Sequence, residues 1–227
     1  MRQILACLLL ATLGRTSFAG ACAVPEAVVV VLTPPGSELD DTGGAVVALG
    51  PRTDDDQTKM DDIARLRWHF QGEGAVSKII APGLAVVTST QHGEALENSV
   101  SDVKLHVTWR HAKPPLPAPR VKSLVFSENH TPHGSWSGTM LSLDAAPPAD
   151  AVAVLVNTVD NPLAQPAWSR ITDPKATTIA LDARPRCAWV IPGNVMPAAG
   201  TKVAVSWLDT SGRISPASKP VTIALPL

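Results

Sequence analysis

The stretch Val203–Gly212, VAVSWLDTSG, contains the pattern that decides the fold. Its apolar residues Val203, Val205 and Trp207 stand at every second position, which is the spacing of one face of a β-strand. The Asp209-x-x-Gly212 segment is typical of a turn, because Asp accepts hydrogen bonds from nearby backbone and Gly tolerates a positive φ. The stretch therefore predicts a strand that ends in a tight turn.

The same alternation recurs in both halves of the chain, so an all-β fold is predicted. Along 103–110, for example, Val, Leu, Val and Trp alternate with Lys, His, Thr and Arg. A total of 21 prolines also argues against a mostly helical protein. Further strands are predicted at 28–32, 66–70, 84–88, 121–126, 139–143, 152–156 and 221–225.

A proline-rich segment, KPPLPAP at 113–119, divides the chain. Four prolines in seven residues favour polyproline II and a semi-rigid spacer. We therefore predict two antiparallel β-sandwich domains, 22–112 and 120–227, joined by this linker. Residues 22–115 carry 13 acidic and 8 basic side chains, whereas 116–227 carry 7 and 9. Opposite net charges would help the two halves to dock, although single surface pairs contribute little.

The N-terminus, residues 1–21, has the features of an export signal. Arg2 supplies a positive charge, residues 4–13 are uncharged and mostly apolar, and Ala19-Gly20-Ala21 is an A-x-A cleavage site before Cys22. A second such site would place the cut two residues later. The apolar run is too short to span a membrane, and no later run approaches 18 residues. We expect an exported protein, periplasmic or extracellular, with no transmembrane span in the mature chain.

Cys22 and Cys187 are the cysteines left after removal of the signal. In an oxidising compartment an even pair predicts a disulfide. The alternative is a lipid anchor on Cys22, because the residues before it loosely resemble a bacterial lipobox, with Ala19 where Leu is usual. Both possibilities remain open on sequence grounds.

The second half resembles a known class of module. The run Val203–Ile223, VAVSWLDTSGRISPASKPVTI, has the order strand, turn, short bridge and last strand. In this respect residues 119–225 are similar to bacterial immunoglobulin-like and fibronectin type III-like modules, and residues 22–112 resemble them more faintly. The chain contains no tyrosine, so the tyrosine corner of those folds is absent. The resemblance implies a β-sandwich with a binding or spacer role in a secreted or envelope protein.

Motifs that carry catalysis are weak in this sequence. Gly134-Ser135-Trp136-Ser137-Gly138 has tryptophan where a G-x-S-x-G hydrolase needs its nucleophile. There is no His-Glu-x-x-His helix and no glycine-rich phosphate loop. His130 and His133 lack a third metal ligand, and the acidic loop 53–62 lacks the spacing that wraps calcium. No catalytic residue, metal site or cofactor is therefore predicted.

The tryptophans are the most informative side chains for binding. Trp68, Trp109 and Trp207 lie in phase with apolar strand faces and are predicted to be core. Trp136 is out of phase with Thr139 and Leu141, and the predicted edge or loop around Trp168 follows two prolines. Exposed indoles stack on sugars or anchor protein partners, so both are candidate ligand-binding residues. Burial as lids over a sandwich edge is the alternative for each.

Three functional hypotheses follow. The first is a non-enzymatic binding or structural module of the bacterial envelope or periplasm, with a protein or polysaccharide partner. The second is a carbohydrate-binding module that uses Trp136 and Trp168. The third is an enzyme whose site forms only in three dimensions. The near balance of 19 basic and 20 acidic side chains argues against nucleic acid as a partner.

Overall fold

A computed structural model describes residues 29–49, 68–70, 73–98, 104–111, 113–131, 134–161, 163–184 and 194–225. Within these ranges the chain forms strands and no helix, which confirms the all-β prediction, and no helix long and apolar enough to cross a membrane occurs there. The strands are β1 (Val29–Val31), β2 (Ser37–Asp40), β3 (Ala45–Leu49), β4 (Trp68–Phe70), β5 (Glu73–Gly74), β6 (Val76–Ala81), β7 (Leu84–Thr88), β8 (Ala95–Asn98), β9 (Lys104–Arg110), β10 (Val121–Thr131), β11 (Gly134–Leu143), β12 (Ala151–Thr158), β13 (Ala167–Arg170), β14 (Thr178–Arg184), β15 (Lys202–Asp209) and β16 (Val221–Ala224).

The first nine strands form two sheets. One has the order β1-β3-β7-β6 and is antiparallel, and the other has the order β2-β9-β8-β4-β5. In the second sheet β2 pairs with β9 in parallel, whereas the remaining pairs are antiparallel. The parallel pair differs from the purely antiparallel sandwich that the sequence predicts.

The last seven strands form one sheet with the order β13-β12-β15-β16-β10-β11-β14. A short parallel pair, β10 with β16, joins its two antiparallel parts. The sheet curls until its end strands approach each other, where the Ser169 hydroxyl donates to the Ala180 carbonyl at 3.4 Å. The result is a nearly closed, barrel-like sheet around a core of leucine, valine, isoleucine and Trp207.

The chain alongside β15 imitates a strand by means of serine side chains. Ser215 and Ser218 donate their amides to the carbonyls of Trp207 and Val205, at 3.0 and 2.7 Å. Their hydroxyls in turn accept from the amides of the same two residues, at 2.9 and 3.0 Å. The serine hydroxyls therefore fill the acceptor positions that a regular strand would fill with backbone carbonyls.

Among the described residues, the buried apolar side chains form three clusters arranged as layers. The first lies inside the seven-stranded sheet, and the third lies between the two N-terminal sheets. The second joins the two halves: it combines Val46, Leu84 and Val86 with Leu155 and Trp168. Because Val46 belongs to the second cluster and its neighbours Ala45 and Val47 to the third, strand β3 is buried on both faces.

The second cluster joins the two halves, whereas the sequence predicts two domains held apart by a spacer. Among the strands of the described residues, no sheet contains members from both sides of the proline-rich segment. The halves nevertheless bury a common apolar layer, and the segment at 113–114 is fixed by side chains from both halves (see below). The predicted signal peptide, Cys22, Cys187, their disulfide and the acidic loop 53–62 lie outside the described residues.

Candidate functional site at the junction of the two halves

Two turns, one from each half, meet at the junction. The Asp40 amide donates to the Ser211 hydroxyl at 2.8 Å, and the Gly44 amide donates to the Ser211 carbonyl at 2.8 Å. A Cβ on Gly43 would lie 2.3 Å from that carbonyl, and one on Gly212, whose φ is +74°, would lie 2.4 Å from a Val86 methyl. Glycine is required at both positions because the two backbones approach so closely.

Arg213 is the central cation of this junction. Its Nε and Nη2 both donate to Oδ2 of Asp209, at 2.9 and 2.8 Å. Nη1 donates to Oδ2 of Asp40 at 2.8 Å and to the Lys113 carbonyl, while Nη2 also reaches the Pro114 carbonyl at 3.0 Å. One guanidinium thus ties the last hairpin to the N-terminal half and to the start of the proline-rich segment.

Asp40 is a buried carboxylate, 3% exposed, and each of its two oxygens accepts two hydrogen bonds. Oδ1 accepts from the Thr42 amide at 3.0 Å and from the Thr42 hydroxyl, and Oδ2 accepts from the Lys113 amide at 2.9 Å and from Arg213. Burial raises the pKa of Asp40, but the Thr42 hydrogen bonds, the Arg213 charge and the Lys113 amide together outweigh it and lower the pKa below its ordinary value. The group is therefore held as an anion.

Lys113, the first residue of the proline-rich segment, is held at the same place. Its ammonium donates to the Glu38 carbonyl at 3.2 Å and to the Thr210 hydroxyl at 3.1 Å, and it forms an ion pair with Asp150 at 3.0 Å. Glu38 belongs to the N-terminal half, whereas Thr210 and Asp150 belong to the C-terminal half. The lysine thus binds both halves, which fixes the start of the linker.

A smaller polar cluster surrounds Asp41 at the surface. The His111 imidazole bonds to the Asp41 carboxylate, and this hydrogen bond, followed by the Asp41 charge, raises the pKa of His111 above its ordinary value. His92 has a positive φ of 54° and stacks on Trp109 with ring centroids 4.8 Å apart, and its Nε2 lies 3.1 Å from the Asp41 carbonyl. This cluster is exposed, in contrast to the buried Asp40.

The hydrogen bonds of Arg213 with Asp40 and Asp209 hold the two halves together, and we name this network the clamp. Both oxygens of Asp40 and both of Asp209 accept hydrogen bonds, so neither carboxylate has a free lone pair directed at a substrate. A general acid or base must reach a reacting group and exchange its proton, and a saturated buried anion does neither. Within the described ranges no three His, Cys, Asp or Glu side chains are arranged to hold a metal ion.

Trp168, one of the two sequence-derived candidates for ligand binding, is buried. Its side chain is 6% exposed, and its Nε1 donates to the Pro82 carbonyl at 2.7 Å. Its backbone amide donates to Asn194 Oδ1 at 2.8 Å, and Asn194 Nδ2 donates to its carbonyl at 3.0 Å. The prediction that this indole is exposed is wrong, because β13 pairs with β12 and turns the ring into the layer shared by the two halves. Trp168 covers a sheet edge, the alternative raised for it above.

The structure describes the other predicted residues only in part. Trp136 lies on β11 and pairs with Asn129, but its side chain is outside the described set. The same holds for the side chains of Trp68, His130 and His133. The core prediction is confirmed for Trp207, which is 2% exposed, while Trp109 is half-buried against the third cluster.

Sequence reasoning missed Arg213 and Asp40. The signal available was Asp209-x-x-Gly212-Arg213, because an Asp that closes a turn leaves one oxygen for a cation four residues later. Nothing in the sequence linked that turn to Asp40, which is 173 residues away.

No protein-family model matches this chain, and a comparison with curated proteins finds no similar sequence.

Proposed function

We propose that this protein is an exported, non-enzymatic binding or structural module of the bacterial envelope or periplasm. An immunoglobulin-like sandwich in the N-terminal half and the nearly closed sheet of the C-terminal half would act in it as one rigid unit. The observation that carries the proposal is the saturated clamp of Arg213, Asp40 and Asp209 above a shared apolar layer. Such a junction fixes geometry and supplies no reactive group.

The strand orders support the immunoglobulin-like part of the proposal. Immunoglobulin sandwiches place strands A, B, E and D in one sheet and G, F and C in the other. The N-terminal half has its first, third, seventh and sixth strands in one sheet, and its ninth, eighth and fourth adjacent in the other. With β2 taken as a second part of strand A and β5 as a strand added after C, the two orders coincide.

The export part of the proposal is tested in the native host. Fractionation followed by intact-mass measurement, with and without reductant, should find a chain that lacks residues 1–21. A mass gain of two hydrogen atoms on reduction identifies the Cys22–Cys187 disulfide, and a lipid-sized gain identifies an anchor on Cys22. Intact chain that begins at Met1 in the cytoplasm would contradict the proposal.

The rigid-unit part is tested by dividing the chain. Residues 22–112 alone would expose Val46, Ala48, Leu84 and Val86, which are now 4% exposed or less. We therefore expect each half, expressed separately, to aggregate or bind a hydrophobic dye, and the two halves to become soluble when produced together. Two stable, monomeric halves that do not associate would restore the picture of independent modules on a spacer.

A further inference from the structure

The proline-rich segment is fixed to the protein at both ends. At its start, Arg213 donates to the carbonyls of Lys113 and Pro114. At its end, the Arg120 carbonyl accepts from the Asp144 amide at 3.0 Å, and β10 begins at the next residue. The two halves already touch through the clamp and the second apolar cluster, so spacing does not explain the four prolines in this segment.

Burial along the segment repeats every three residues. One set of positions is half-buried or buried against the protein: Lys113, Leu116 and Pro119. The set that follows it is exposed: Pro114, Pro117 and Arg120. Three residues per turn is the period of polyproline II, a conformation that proline favours because its ring fixes φ at about −65°. Leu116 packs against the core of the C-terminal sheet, so the helix lies on the protein with one of its three edges inward.

The outer edges of this helix form a surface of proline rings, Pro114, Pro115 and Pro117, which we name the proline ridge. All three residues are exposed. Pro114 and Pro117 lie three residues apart on one edge, and Pro115 lies on the next. The carbonyls of Pro115, Leu116 and Pro117 accept no hydrogen bond from the described residues. The ridge therefore offers apolar rings with free acceptor oxygens between them.

The charged residues near the proline ridge lie at its ends. Lys113, at the start, is already paired with Asp150. Three exposed charged residues lie where the segment enters β10, and none of them forms an ion pair within the described part of the chain: Arg120, Lys122 and Asp144. These charges are of both signs, so the proline rings, and not charge, decide the class of partner.

The proline ridge matches a groove lined by aromatic side chains. Aromatic rings pack on proline rings, and the indole N–H and phenol O–H groups of such a groove can donate to the free carbonyls. A helix with three edges can place two of them in a groove, and here the third edge is the one that the protein covers. The helix is also ordered before binding, so that docking costs little conformational entropy.

We propose that the proline ridge is a docking surface for a protein with an aromatic-lined groove of the kind that recognises Pro-x-x-Pro segments. This inference rests on the proposed binding role and names its partner. Pro114 and Pro117 supply the two prolines of such a segment, and Leu116 holds the helix on the protein so that both rings face outward.

The test is a titration of isotope-labelled SH3, WW and EVH1 domains with the whole exported chain, followed by NMR. We expect the chain to shift the signals of the groove aromatic side chains in at least one of these domains. Pro117→Ala should weaken that binding about fivefold or more, because it removes a contacting ring and loosens the helix. Pro114→Ala provides a second variant if Pro117→Ala fails to fold.

Pro174→Ala is the matched control, because it removes an exposed proline from the loop between β13 and β14. Its affinity should equal that of the wild type. Absence of binding to all three kinds of domain, or binding that Pro117→Ala and Pro174→Ala change equally, would overturn the proposal. A dimer in sedimentation that Pro117→Ala dissociates would also overturn it and identify a second copy as the occupant. None of these outcomes bears on export or on the association of separated halves, so each proposal fails separately.

Discussion

Strands β12 and β9 have similar lengths but opposite patterns of burial. The first six residues of β12, AVAVLV, are all buried, whereas β9, KLHVTWR, alternates between exposed and buried positions through Thr108. In β12, Val154 and Val156 belong to the core of the nearly closed sheet, and Ala153 and Leu155 belong to the layer shared with the other half. Strand β9 lies in an outer sheet and has one solvated face.

An uninterrupted apolar run in this protein marks a strand inside the stack of sheets. The same is true of AVVAL in β3 and LAVV in β7, whose neighbouring residues belong to different clusters. Continuous apolar strands are typical of sheets that are covered on both faces. A sequence with three such runs therefore indicates layers that pack on each other rather than separate sandwiches.

The largest expected effect comes from placing a charge in the inner strand. Ala153→Lys, at a position that is 0% exposed, should destabilise the protein by about 4 kcal/mol or more, because a buried charge has no partner there. Thr108→Lys on β9 should change the free energy of unfolding by less than about 0.5 kcal/mol. Urea unfolding followed by circular dichroism measures both, and equal effects would contradict the layered arrangement.

The next effect distinguishes the clamp from a surface ion pair. Arg213→Met leaves Asp40 and Asp209 buried without their cation and should cost about 3–5 kcal/mol. Arg110→Met removes only the exposed pair with Glu38, which contributes about 0–1 kcal/mol. The same unfolding assay compares the two variants. A loss below 1 kcal/mol for Arg213→Met would show that the network does not hold the halves together.

Acid should weaken the clamp. Since the folded-state pKa of Asp40 lies below its ordinary value of 3.8, its stabilisation is present above that value and is lost as the pH falls through the folded-state pKa. Asp40→Asn should therefore be less stable than wild type at pH 7, and the difference should shrink on acidification towards pH 3. A difference that is independent of pH would exclude the carboxylate charge as its cause.

The smallest effect is expected at the exposed His111. Its pKa is raised by Asp41, so this pair contributes stability below pH 6.5 and loses it as the pH rises through the folded-state pKa. Titration by NMR should show the pKa of His111 falling in Asp41→Asn. An unchanged titration would mean that the two side chains do not pair in solution.

Sequence periodicity predicted the strands whose two faces differ, such as β9, β15 and the C-terminal part of β11. The predicted strands leave out β2, β3, β5, β6, β8, β13 and β14. Of these, β2 and β13 have residues, SELD and AWSR, that show no alternation and depend on pairing with distant strands. The difference between the two faces of a strand is set by the strand's own residues. The strand or layer that packs against it comes from elsewhere in the chain. For the same reason Trp168 was predicted to be exposed, since the layer that covers it comes from residues more than 80 positions away.

The serine segment beside β15 covers backbone groups to which a foreign strand could otherwise bind. Foreign strands add to a sheet where amide and carbonyl groups stand unpaired along an edge. Ser215 and Ser218 occupy those groups on Val205 and Trp207, and Pro216, next to Ser215, has no amide hydrogen to offer in turn. Beyond its short pairing with β16, strand β15 is therefore covered by a segment that offers few backbone amide groups to a further strand.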